Sequence, residues 1–311
     1  MELGIVIPCY NEEAVLGHLL DELARFRKEQ PFSVKCLFVN DGSRDATASM
    51  LDKACETEPA YACVHLSRNF GHQSAVTAGL KHICGDAVVI IDADLQDPLD
   101  VIPAMVEKWK EGFEVVYGVR QNRQESLLLR GCYAFFYRLL RRISQVDIPL
   151  DSGDFSLLDR RVVDCLNTLP EKRRFVRGLR AWAGFRQTGV PYNRQGRRAG
   201  TSKYSLIRLI QLAVNGIISF SSAPLRLATW LGLAFSSLAF LLLIWAVVAA
   251  LFFKNTPSGW ASLVVLFVFF GGIQLLVLGI LGEYISQIVD EVKARPTFLV
   301  ARQGGWVANK D

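Results

Sequence analysis

The sequence is poor in the residues that build metal or disulfide frameworks. Its four histidines, His18, His65, His72 and His82, show no zinc-ligand spacing. Its seven cysteines, Cys9, Cys36, Cys55, Cys63, Cys84, Cys132 and Cys165, form no CxxC pair and are odd in number. Several stand inside apolar, strand-like runs, where cysteine acts as a small hydrophobe. They read as reduced thiols of a cytosolic domain, which excludes a disulfide-stapled fold. Net charge is small, +5 on 311 residues, so a nucleic-acid partner has no electrostatic footprint. Met1 to Ile7 run straight into a strand pattern without a basic n-region, so no secretory leader is expected.

Charge is absent altogether from two long stretches, Ala228–Phe253 and Trp260–Leu281. Each reaches the ~20 apolar residues that a helix needs to cross a bilayer. Uncharged runs of this length are rare in soluble cores, which disfavours a pair of buried helices. The polar turn between them, residues 254–259, carries only Lys254. Arg208 and Arg226 precede the first run, and Lys293 and Arg295 follow the second. This asymmetry predicts a multi-pass protein of the cell membrane, with the large N-terminal part and both termini cytoplasmic. Tyr204–Ser222 and Ser126–Ser144 read either as interfacial helices in the headgroup layer or as helices packed on the globular part. Gly271-Gly272 and Gly279-x-x-Gly282 suit close helix packing, between protomers of a homo-oligomer or between the two spans of one chain.

Before these runs, strand-like and helix-like segments alternate. Leu3–Ile7, Val34–Val39, Tyr61–Leu66, Ala87–Ile91 and Glu114–Gly118 read as strands. Glu13–Glu29, Ala46–Glu58, Gln73–Ile83 and Val101–Glu111 carry helical spacing. The order predicts an α/β fold with a Rossmann-like, mostly parallel sheet flanked by helices. In such sheets ligands bind beyond the carboxyl ends of the strands.

Three polar clusters stand at those ends: Pro8-Cys9-Tyr10-Asn11-Glu12-Glu13, Asn40-Asp41-Gly42-Ser43-Arg44-Asp45, and Asp92-Ala93-Asp94-Leu95-Gln96-Asp97-Pro98. Each alone has a plain turn or capping reading. Together they describe a nucleotide pocket. Residues two apart on an extended chain point the same way, so Asp92 and Asp94 offer a hard oxygen site suited to Mg²⁺ or Mn²⁺.

The ordered set Ile7-Pro8-x-Tyr10-Asn11-Glu12, Val39-x-Asp41-Gly42-Ser43, Asn69-x-Gly71 and Asp92-x-Asp94-x-Gln96-Asp97-Pro98 resembles family 2 glycosyltransferases of the GT-A fold. The later motifs are Gly118-x-Arg120-x-x-Arg123, Asp151-Ser152-Gly153-Asp154-Phe155 and Arg197-x-x-Gly200-x-Ser202-Lys203-Tyr204, followed by Gly279-x-x-Gly282-Glu283-Tyr284. They resemble its polyprenyl-phosphate branch, which includes dolichol-phosphate mannosyltransferases and bactoprenol glucosyltransferases. The resemblance covers essentially the whole chain. It implies that Pro8, Tyr10, Glu12 and Asp41 line the base and ribose pocket and that Asp92 faces the nucleotide. It implies that Asp94 and Gln96 hold the metal, and that Asp151 is the general base with Asp154 beside it. Arg197 reaches the donor diphosphate, while Arg120 and Arg130 bind the lipid phosphate. One departure is visible: the family usually shows Asp-Asp-Gly-Ser, and here the first position is Asn40.

The residues support these roles independently. Guanidinium groups match phosphate oxygens in a bidentate fork, and Arg120–Arg142 holds six arginines against one acid, Glu125. A membrane-facing basic patch explains the same run, and the two readings are compatible. The glycine-containing stretch Tyr192–Lys203 suits a loop that closes on a diphosphate and excludes water. Arg173, Arg174, Arg177, Arg180 and Arg186 read in part as a solvated helix face.

The expected organisation is a catalytic domain over residues 1–200, a juxtamembrane helix over 201–227, and spans over 228–253 and 260–282 joined by the turn 254–259. A cytoplasmic tail follows over 283–311. The expected reaction is inverting transfer of a sugar from a nucleotide donor, UDP-hexose ahead of a GDP sugar, to a polyprenyl phosphate. Two alternatives are a processive polysaccharide synthase, which needs more helices and a Gln-x-x-Arg-Trp motif absent here, and a non-catalytic partner of a glycan-assembly complex.

Overall fold

The computed structural model describes residues 1–121, 152–172, 174–193 and 259–308, with scattered helical positions between 225 and 245. Eight strands form one sheet: β1 (Glu2–Cys9), β2 (Ser33–Asn40), β3 (Tyr61–Leu66), β4 (Ala87–Ile90), β5 (Val115–Gln121), β6 (Ser152–Asp159), β7 (Gln187–Asn193) and β8 (Val300–Gly305). Their order is β7-β5-β6-β4-β1-β2-β3-β8. β1 is buried from Leu3 through Cys9 on both faces. A strand covered twice needs a continuous apolar run rather than an alternating one, and Leu3 to Ile7 supply it.

Alternate side chains feed two cores. Leu3, Ile5 and Ile7 pack with Leu16, Leu19, Leu23 and Phe26 of α1 (Glu13–Glu29), with Leu51 of α2 (Thr47–Thr57) and with Met105 of α4 (Ile102–Lys110). Val6 packs on the other face with α3 (His72–His82), α5 (Arg160–Thr168) and α6 (Val176–Trp182). α3 lies close on the sheet because Gly79 has no side chain; a Cβ there would come within 2.2 Å of Val6.

The helices and strands expected up to Gly118 are all present, and α1 has the expected bounds. The sheet, however, is mixed rather than mostly parallel. β1 pairs in parallel with β2 and β4, β2 with β3, and β5 with β7. Antiparallel pairings join β4 to β6, β5 to β6, and β3 to β8. β6 enters antiparallel beside β4 and carries β5 and β7 with it. β8 covers the edge of β3, whose open N–H and C=O groups would otherwise be exposed. Val300–Gly305, within the stretch 283–311 expected as a tail, are thus a strand of this sheet. Trp306 Nε1 anchors them by donating to Ala60 O at 3.2 Å.

The chain divides into two units, one of residues 1–142, 146–205 and 296–311 and one of 143–145 and 206–295. In the second, α7 (Trp260–Val292) is a single helix of 33 residues. It runs beyond the expected end at Leu281. Within it, Phe269–Val292 is the one segment among the described residues long and apolar enough to cross a membrane. Many large apolar side chains of α7 are exposed; Phe267 is 78% exposed and Leu275 71%. Described positions of the first expected span are helical, and Phe235 meets Phe269 and Phe270 edge-on at 5.6 and 5.9 Å. Half of that span lies outside the described residues, as do both expected interfacial helices in full.

The turn after β2 depends on Gly42, at φ +66°. A Cβ on it would lie 2.4 Å from the Arg68 carbonyl carbon. Gly42→Ala is therefore expected to cost about 2–3 kcal/mol through left-handed strain and a backbone clash. A lower denaturation midpoint at unchanged slope would show this, whereas an unchanged midpoint would mean the turn relaxes freely.

Candidate active site

In the strand order β3-β2-β1-β4 the chain reverses direction of travel between β1 and β4. The loops after these two strands therefore part and leave a crevice at their carboxyl ends. A cavity of about 490 Å³ lies there, within the range of small-molecule sites. Pro8, Cys9, Tyr10 and Glu12 line it from the end of β1, and Asp92, Ala93 and Asp94 from the end of β4. Asp41 enters from β2, Arg120 from β5 and Asp154 from β6.

The loops are clasped to each other before any ligand arrives. Asn11 N donates to Ser43 Oγ and Arg44 N to Asn11 Oδ1. Glu12 N donates to Thr47 Oγ1 and Ala46 N to Glu13 Oε2. Asp41 accepts from Phe70 N at 2.7 Å and Gly71 N at 2.9 Å, which ties the β2 loop to the start of α3. Burial nevertheless keeps its carboxyl above the ordinary value. Asn11 and Leu95 both have positive φ, a strained conformation for such residues that tends to collect at functional loops.

The carboxylates of the cavity sit in opposed environments. Burial pushes Asp92 up to about 6; His72 works against this, and Asp97, Asp154 and Asp94 add to it. Asp154 is driven the other way. Burial would raise it, but the His72 hydrogen bond and the Arg177, His72 and Arg180 charges hold it well below the usual range. His72 Nε2 stands 3.3 Å from Asp154 Oδ2 and 3.7 Å from Asp92 Oδ1. Burial would lower the imidazole, but these carboxylates lift it above its ordinary value. Gln73 Nε2 donates to Asp154 at 3.0 Å, and its Oε1 accepts Val176 N at the start of α6. Arg177, on α6, reaches Asp154 at 3.4 Å and lines the cavity.

A model of the family described as Glycosyl transferase family 2 matches residues 4–166, the segment that builds this crevice. The chain belongs to glycosyl transferase family 2. It is 45% identical over its whole length, and 96% of the relative's, to the uncharacterized glycosyltransferase YkcC of Bacillus subtilis. It is 40% identical to the SfII prophage-derived bactoprenol glucosyl transferase of Shigella flexneri, over 97% of this chain and 98% of that one. It is 38% identical to a prophage bactoprenol glucosyl transferase homolog of Escherichia coli, over 97% and 99%. The protein is a glycosyltransferase with a GT-A-like α/β fold.

The structure brings together most of the family 2 residues expected in the pocket: Pro8, Tyr10, Glu12, Asp41, Asp92, Asp94, Arg120 and Asp154 all line the cavity. Arg120 is fixed from behind, its Nε donating to Tyr192 Oη, which in turn donates to Asp97. Gln96 is not among the lining residues; it is buried, and its Oε1 has no hydrogen-bond partner among the described residues. Asp151, Arg130 and Arg197 lie outside the described residues. His72, Gln73 and Arg177 are site residues that sequence reasoning missed. The run Asn69-Phe70-Gly71-His72-Gln73 at a helix start was the only local signal for His72 and Gln73, and Arg177 was read only among arginines taken in part for a solvated face. The arginines of α6 are not a solvated face. Arg180 is 1% exposed, stacked over Tyr117, and burial lowers it to about 10.

Proposed function

We propose that this glycosyltransferase moves glucose from a UDP donor to a polyprenyl phosphate, with inversion, at the cytoplasmic face of a membrane. The observation that carries this reading is a cavity in which paired carboxylates at the end of β4 face His72 and the cations Arg120 and Arg177. Acids suit a metal-bound diphosphate, and cations suit a phosphate acceptor. The names of the Shigella relatives support glucose and a bactoprenol acceptor.

The donor set fits a resident divalent cation, Mg²⁺ or Mn²⁺. Asp92 sits among three other carboxylates that raise it, a repulsion that a cation relieves. The buried Gln96 Oε1 is an oxygen in want of a partner. Asp94 and Gln96 would hold the ion, which when bound supplies charge neutralisation for the departing diphosphate. Pro8, Tyr10, Glu12 and Asp41 hold base and ribose, Asp92 faces the nucleotide, and Arg197 closes over the diphosphate. Arg120 and Arg130 position the lipid phosphate. One of its oxygens attacks the anomeric carbon as the bond to UDP breaks, and no covalent sugar–enzyme intermediate forms.

A phosphate acceptor is already ionised, so little proton removal is needed. Asp154, held far below the ordinary carboxylate range, is a poor proton acceptor. Its part is that of a permanent anion that aims His72 and Arg177 into the cavity, while Asp151 remains the candidate base. We assign both hydrophobic runs as membrane spans in a multi-pass chain with the catalytic unit and both termini cytoplasmic. That unit includes the final strand.

Purified protein in detergent with undecaprenyl phosphate, Mn²⁺ and a panel of UDP and GDP sugars tests this. Mass spectrometry is expected to find a hexosyl lipid phosphate with UDP-glucose. A folded preparation that yields no glycosylated lipid from any donor overturns the reading.

A further inference from the structure

Asn40, the residue that departs from the usual family pattern, stands in a row of three. It pairs with His65 across β2 and β3, and His65 pairs with Arg302 across β3 and β8. Residues abreast in adjacent strands share a face of the sheet, and α2 covers this face with Asp52. The contacts run continuously. Ser43 N donates to Asn40 Oδ1 at 3.0 Å. That bond fixes the amide, so Nδ2 must face His65 Nδ1, 2.9 Å away. His65 Nε2 is 3.0 Å from Asp52 Oδ1, and Asp52 Oδ2 accepts from Arg302 at 2.6 Å.

The chemistry of this row is settled by the amide. Nδ2 only donates, so His65 Nδ1 must present its lone pair. The neutral ring then carries its hydrogen on Nε2 and donates to Asp52. Asp52 Oδ1, Cys63 Sγ and His65 Nε2 lie close enough together to ligate a cation, but a protonated Nε2 cannot ligate. The cluster is therefore a hydrogen-bonded relay rather than a metal centre. It runs from the edge strand β8 to the loop whose next residue, Asp41, lines the cavity.

We propose that Asn40, His65, Asp52 and Arg302 form a tautomer-locked relay through which β8 positions the Asp41 loop for the nucleotide. His65 and Arg302 are positioning residues; neither lines the cavity. Asp41 directly follows the last residue of β2 and its N–H still pairs with Cys9 O at 2.9 Å, so the extended chain sends the Asn40 and Asp41 side chains to opposite faces. Asn40 takes the relay on the α2 side, and Asp41 is left to the pocket and the start of α3. An aspartate at position 40 would accept rather than donate and would move the His65 hydrogen to Nδ1.

This inference rests on the nucleotide reading of the cavity, and two measurements separate their failures. Ring-nitrogen NMR on histidine-labelled full-length protein reads the tautomer, with His65→Gln identifying the signal among four histidines. A neutral ring with hydrogen on Nε2 is expected in the wild type, moving to Nδ1 or to a doubly protonated ring in Asn40→Asp. Calorimetry with UDP reads the positioning. Arg302→Ala, at an exposed side chain that folding tolerates, is expected to weaken UDP about fivefold, with kcat within twofold, and Arg302→Lys to restore most of it. An Nδ1–H ring in the wild type, stoichiometric zinc in the purified protein, or unchanged UDP affinity in Arg302→Ala each overturns the relay. A wild type that keeps the Nε2–H ring but binds no UDP overturns the nucleotide reading instead.

Discussion

Asp94→Asn is expected to lower kcat with UDP-glucose about a thousandfold, the loss of several kcal/mol of transition-state charge stabilisation. The substitution isolates charge from shape. One Asp94 oxygen accepts the Gln96 backbone N–H at 3.1 Å, and asparagine keeps that oxygen, so the loop after β4 retains its turn. What disappears is one negative charge beside Asp92, which burial and its neighbouring carboxylates already raise. Apo stability should therefore hold or rise slightly, while Mn²⁺-dependent turnover collapses. The measurement is single-turnover product formation over a Mn²⁺ titration, with a thermal melt on the same preparation. Wild-type turnover in the variant would remove Asp94 from the reaction and with it the metal assignment.

Asp154→Ala is expected to cost stability on the scale of a broken buried ion pair, about 3–5 kcal/mol. In a domain of this size that corresponds to a fall in melting temperature of roughly 10 °C. The side chain is 13% exposed and faces His72, Gln73 and Arg177, with the buried Arg180 behind. Removing it leaves the cations facing one another without a counter-charge, and frees the amide that ties α3 to α6. The pH dependence has a definite sign. The folded-state Asp154 value is depressed, so its contribution is present in full above the ordinary aspartate value of about 4 and is lost as pH falls. The His72 value is raised, so its contribution is present below about 6.5 and is lost as pH rises through the folded value. Asp92, raised to about 6, also loses stability as pH rises, so wild-type stability should fall on both sides of a mildly acidic maximum; the variant should lose the acid-side slope and the part of the other slope that His72 owes to Asp154. Melting curves over a pH series decide it; a variant with the wild-type profile would mean the cluster does not act as a unit.

The two substitutions also probe different levels of legibility. Asp94 could be found in the sequence because its signal is local: an apolar strand, Ala87 to Ile90, followed at once by two carboxylates two residues apart. The same holds for Pro8 to Glu12 after β1 and for Asp41 after β2. The role of Asp154 could not be read this way. Its partners come from α3 and α6, 81 and 23 residues distant in sequence, and meet it only because β6 inserts antiparallel next to β4. The arginines of α6 misled for a related reason. On a short helix rich in charge, spacing alone does not say which face turns inward.

The sequence by itself determined the α/β alternation, the position of the cavity at the carboxyl ends of β1 and β4, and the start of an apolar helix at Trp260, whose end the structure moves from Leu281 to Val292. Hydrophobic periodicity and runs of uncharged residues are short-range properties, and a parallel βαβ order carries its ligand crevice with it. The tertiary structure alone decided the antiparallel strands, the return of Val300–Gly305 to the sheet edge, the His72–Asp154–Arg177 cluster and the reason for an asparagine at position 40. Each of these depends on which strands become neighbours. β8 is a six-residue strand with two glycines and two long polar side chains, so it carries no apolar alternation of its own. Its place is fixed by the unpaired edge of β3, which exists only once the sheet has formed.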